Sequence, residues 1–103
     1  MQKYPVKASH RANLAPERLE ELCRVHFGLA ERADARVTTR YGAISSLVAW
    51  GDGREVAVEL TMDPKVAEAV ASDTIRRYNR FLEETTGYSS KERAKRLRKS
   101  ASG

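Results

Sequence analysis

Apolar and polar positions alternate from Lys3 to Ala8, where Tyr4, Val6 and Ala8 interleave with Lys3, Pro5 and Lys7. A period of two predicts a short strand, and Pro5, which has no amide hydrogen to give a ladder, confines it to an edge or a strand start. From Pro16 the period lengthens. Leu19, Leu22, Cys23, His26 and Phe27 share one helical arc, Glu17, Glu20 and Glu21 favour the positive N-terminal end, and Gly28 supplies a stop. A first helix over residues 14–28 follows.

Three β-rich runs come next, Arg36–Tyr41, Ile44–Trp50 and Arg54–Met62, separated by Gly42 and by Gly51-Asp52-Gly53. Glycine reaches the positive φ angles that tight reversals demand, so the middle of the chain reads as a meander. A two-residue turn at Asp52-Gly53 splits the large apolar side chains of the second hairpin between faces. A three-residue loop with Gly53 left-handed instead puts Ile44, Val48 and Trp50 on one face with Val56, Val58 and Leu60. Since a slip of one residue exchanges the faces, the second pairing is expected: it gathers one continuous apolar surface.

Residues 65–86 carry the clearest helical pattern. Val70, Ala71, Thr74, Ile75, Tyr78, Phe81 and Leu82 fall on one side of the wheel, and charged and polar residues from Glu68 to Glu83 on the other. Asp63-Pro64 offers a cap and a first turn, and Gly87 an end. Ser89-Ser90-Lys91-Glu92 then has the spacing of a capping box and opens a short third helix over residues 90–98. The order β-α-β-β-β-α-α predicts an α+β fold: a four-stranded, mainly antiparallel sheet with the long helix packed on one face. Residues 1–88 are expected to form a single domain and residues 89–103 a basic helical tail.

Charge sharpens this division. The chain of 103 residues carries 19 Lys plus Arg against 14 Asp plus Glu, a formal net charge of +5. Residues 1–90 balance, with 13 of each sign, whereas residues 91–103 hold six basic groups and only Glu92. A charge gathered at one end creates a local field that attracts polyanions. Lys91, Arg93, Lys95, Arg96, Arg98 and Lys99 are therefore the candidate nucleic-acid-binding residues, and they would contact phosphate rather than read bases. On the long helix, Arg76, Arg77 and Arg80 are expected to be matched by Asp73, Glu83 and Glu84 at pairing distance.

Other chemistry is thin. Cys23 and His26 are three apart on the first helix, but a zinc site needs three or four ligands, His10 is the only other histidine, and both residues fall on the buried arc. No metal site or cofactor is expected. Ser45-Ser46 has no histidine in sequence range, Gly51-Asp52-Gly53 is explained by the hairpin, and Glu59 reads as a solvated strand residue, so no catalytic constellation emerges. Tyr41 and Trp50 are too few rings for a stacking platform on single strands. The lone cysteine excludes an intramolecular disulfide. No apolar run reaches the roughly 20 residues that cross a bilayer, and the N-terminus lacks a secretion signal, so a cytoplasmic location without membrane attachment is expected.

Two phrases, Tyr41-Gly42-Ala43-Ile44 and Tyr78-Asn79-Arg80-Phe81-Leu82-Glu83, the latter continuing through Thr86-Gly87-Tyr88 to Lys91-Glu92-Arg93-Ala94-Lys95, resemble a family of small archaeal single-domain proteins of unknown function. The likeness spans most of the chain and is strongest from Tyr78 onward. It implies an archaeal cytoplasmic origin and brings no activity with it. The sequence thus leads to a small non-catalytic protein that binds nucleic acid, RNA favoured over DNA, through its basic segment. The alternative is a protein-interaction module, a homodimer joined through the sheet or its edge, because Trp50, Val48 or Leu47 would be left partly exposed on the uncovered face. No small-molecule ligand is identifiable.

Overall fold

Helical and β periods resolve where the pattern places them, with one strand and one short helix added. The computed structural model describes the backbone of residues 1–102 and the side chains of residues 1–96. In order, the elements are β1 (Gln2–Pro5), a 3-10 segment (Ala8–Leu14), α1 (Pro16–Phe27), β2 (Glu31–Ala33), β3 (Arg36–Tyr41), β4 (Ile44–Asp52), β5 (Glu55–Met62), α2 (Glu68–Thr86) and α3 (Ser90–Ser102). The strands form one antiparallel sheet in the order β1-β5-β4-β3-β2.

The sheet therefore has five strands, not the four expected. β2 escapes the pattern because Glu31, Arg32 and Ala33 are all exposed and carry no alternation. Its turn into β3 uses Asp34 at φ 57° rather than a glycine, which removes the usual hairpin signal. The first strand also ends sooner than expected, at Pro5, and the chain turns into the 3-10 segment, with the Lys7 amide donating to the Thr86 carbonyl (2.9 Å) at the end of α2.

The hairpin between β4 and β5 corrects the expected register. Asp52 pairs with Glu55 and Trp50 with Ala57, around a two-residue turn in which Gly53 takes φ 65°. The core face consequently carries Leu47 and Ala49 with Val56 and Val58, while Val48 and Trp50 turn to the opposite face. A bulge in β4 reconciles this with the buried Ile44. Ile44 pairs with Met62 but Ser46 with Thr61, so Ser45 is an extra residue. One inserted residue reverses the alternation, and both Ile44 and Leu47, three apart, face the core.

α1 and α2 cover that one face. Leu19, Leu22, Cys23 and Phe27 of α1 meet Phe81 and Leu82 of α2 over Val37, Ile44, Leu47, Val56 and Val58. The rings of Phe27 and Phe81 lie 5.3 Å apart. α2 starts at Glu68, later than expected, because Asp63 accepts the Lys65 amide hydrogen (2.9 Å) and caps a turn instead. Its buried arc is also narrower than the wheel suggests: Ile75 is 53% exposed and Val70 41%. Thr74 is wholly buried, and its hydroxyl accepts from the Ala43 amide (2.9 Å) while donating to the Val70 carbonyl (2.7 Å), which docks the helix on the β3–β4 turn.

Candidate nucleic-acid interface

The segment joining α2 to α3 is built from backbone geometry. Gly87 ends α2 at φ 81°, with its amide on the Glu83 carbonyl (2.8 Å), and an added Cβ would meet Nδ1 of His10 at 2.8 Å. Only glycine suits both the angle and the close approach. α3 then opens on the predicted capping box: the Glu92 amide donates to the Ser89 hydroxyl (3.3 Å) and the Ser89 amide to the Glu92 carboxylate (3.1 Å). These bonds from Ser89 hold the Glu92 carboxyl below the usual carboxylate range, with smaller help from Lys7 and Arg96.

Arg93 does not join the exposed cations expected of it. It is 4% exposed, and its guanidinium donates to the Tyr88 carbonyl (2.6 Å), the Asn79 side chain (3.1 Å) and the Ser90 hydroxyl (3.3 Å). Burial draws its pKa down, opposed by Tyr4, Tyr78 and Glu83 nearby. Its part is to fix the first turns of α3 against α2, since a planar fork with several donors satisfies several acceptors at once.

Lys91, Lys95 and Arg96 are exposed. The Arg96 guanidinium lies 4.2 Å from the centre of the Tyr88 ring, and Lys7, from the opposite end of the chain, places its ammonium 5.1 Å from the same ring. Among the described residues, no ion pair engages Lys7, Lys91, Lys95 or Arg96. Lys7 is the member that sequence reading missed, and its spacing from α3 offers no signal of it. The side chains of Arg98 and Lys99 lie outside the described residues.

Among the described residues, no ion pair joins Arg76, Arg77 or Arg80 to Asp73, Glu83 or Glu84, although the helical spacing suggests one. Asp73 accepts the Tyr41 hydroxyl (2.5 Å) and Glu84 bonds His26, leaving Arg77 on the His26 carbonyl (3.4 Å) and 5.5 Å from the Tyr41 ring centre. Cys23 and His26 do not converge. Cys23 points into the core, where burial pushes its thiol up to about 12, and His26 packs edge-on to Phe81 at 6.1 Å. His10 lies within 2.8 Å of the Ser9 hydroxyl. Among the described residues no three metal-ligating side chains cluster, and no helix is long and apolar enough to cross a membrane.

The architecture is that of a small two-layer α+β protein, an antiparallel sheet with helices on one face and an exposed cationic helix start. The chain belongs to the family described as Domain of unknown function (DUF5611), whose model matches residues 1–99. It is similar to the NMR solution structure of hypothetical protein TA0095 from the archaeon Thermoplasma acidophilum, at 25% identity and a TM-score of 0.69, over 94% of this chain and 97% of that one. No curated protein matches. The resemblance to an archaeal family without an assigned activity is thereby established.

Proposed function

We propose that this is a non-catalytic cytoplasmic protein that binds nucleic acid, RNA in preference to DNA, through phosphate contacts at the start of α3. The observation that carries the reading is the exposure of Lys91, Lys95 and Arg96 with no ion pair among the described residues, joined by Lys7 beside the Tyr88 ring. Exposed cations that no ion pair holds among the described residues release counterions from a polyanion when they bind it. RNA is favoured because no helix-turn-helix or zinc-finger element for a major groove is recognisable among the described residues.

The test is a titration of the full chain and of a Lys91→Gln, Lys95→Gln, Arg96→Gln variant with labelled single-stranded RNA and with duplex DNA across a salt series. Binding to RNA is expected to weaken with salt, with a logarithmic slope of about −0.7 per phosphate contacted. The variant should bind more weakly, with a slope shallower by roughly 2. Equal binding by the variant rejects the site; tighter binding to DNA rejects the preference.

A further inference from the structure

The face of the sheet turned away from α1 and α2 is set out by the strand register. One row across it runs Lys3, Ala57, Trp50, and the next runs Glu59, Val48, Thr38, Glu31. Arg36 flanks Trp50, its guanidinium 4.3 Å from the ring centre. Val48 and Trp50 are half-buried and mark the middle of this face, whereas Ala57 beside Trp50 is wholly buried and adds no surface to it. The charges to either side are segregated. Glu55 and Glu59 stand on β5, on one side of β4, and Arg36 and Arg40 stand on β3, on the other. Lys3 and Asp52 satisfy each other at 2.6 Å.

The Glu59, Arg36 and Arg40 part of this pattern is self-complementary, and Asp52, which an axis along β4 also sets against its own copy, is held by Lys3. A two-fold axis along β4 turns the face onto its own copy, keeps the level of each residue along the strand and exchanges β5 with β3. Glu59 of one copy then stands over Thr38 of the other, between that copy's Arg36 and Arg40, and the Val48 and Trp50 side chains meet on the axis. Sheets packed face to face are about 10 Å apart, which Glu and Arg side chains together span. An isologous contact requires that the same patch supply both halves, and a central aromatic anchor with complementary charge at the flanks is the composition such interfaces favour. A polyanion is disfavoured on this face, because Glu31, Asp52, Glu55 and Glu59 outnumber Lys3, Arg36 and Arg40.

We infer that the open face of the sheet is the interface of a homodimer, packed face to face about an axis along β4, with Glu59 of each copy paired to Arg36 and Arg40 of the other. The test is sedimentation of the full chain over a concentration series, together with Glu59→Arg, Arg40→Glu and the double reversal, with circular dichroism to check the fold. Both residues are exposed in the single chain, so the folded monomer survives each change. The expected result is a dimer whose dissociation constant rises roughly tenfold or more in either single reversal, through like-charge contact, and recovers in the double. A native chain that stays monomeric at every concentration overturns the inference. So do single reversals that dimerise as tightly as the native chain, or a double reversal no tighter than the singles.

Discussion

Arg93 reaches back from α3 to Asn79 of α2, a contact of 3.1 Å made by a guanidinium that is itself buried. The same group satisfies the Tyr88 carbonyl. Arg93→Ala leaves these acceptors without a donor, and unfolding by urea should show a loss of about 2–3 kcal/mol. Arg93→Lys should recover little of it, because a point charge cannot reproduce the fork. Neither change should alter the salt slope of RNA binding, since the residue does not face solvent.

Lys7 lies in the body yet shares the Tyr88 ring with Arg96. Lys7→Gln should weaken RNA binding and reduce the salt slope by about 0.7. Lys65→Gln, at an exposed position beside Asp63, should leave both unchanged and serves as the matched control.

Thr74→Val removes the acceptor for the Ala43 amide at a buried position. Its cost should be about 1–3 kcal/mol by chemical denaturation, and Thr74→Ser, which keeps the hydroxyl, should retain most of the stability.

Cys23 links stability to alkaline pH. Burial raises its folded pKa to about 12 from an ordinary value of 9.0, so the unfolded chain releases the thiol proton first. The stabilisation is therefore complete below about pH 9 and is lost as pH rises toward 12. Tyr78, also pushed up by burial, acts in the same direction. Urea midpoints should fall between pH 8 and pH 10.5, with part of that fall absent in Cys23→Ala. At pH 8 the thiol should react with a disulfide reagent only on unfolding.

The sequence pattern located the elements whose faces differ sharply in polarity. α1 is visible because Leu19, Leu22, Cys23 and Phe27 recur at helical spacing and are the residues it buries. The capping box at Ser89 and Glu92 likewise depends only on local spacing. β2 was hidden because its three residues are all exposed and show no alternation of apolar and polar positions. The β4–β5 register was misread because the bulge at Ser45 lets Ile44 and Leu47 share a face, a shift that strict alternation cannot express. At the site, exposure of Lys91, Lys95 and Arg96 followed from composition, whereas the burial of Arg93 and the arrival of Lys7 depend on how α2, α3 and the 3-10 segment meet.

The anchoring of α3 by Arg93 also bears on kinetics and entropy. A loose polycationic segment must lose much of its conformational freedom before several charges can engage one strand, whereas Lys91, Lys95 and Arg96 rise from a helical start already clamped to the body. Their spacing is set before any partner arrives, so less disorder is surrendered on association. On the proposed reading, an untethered peptide of equal charge would surrender more freedom in gripping the same stretch of phosphodiester.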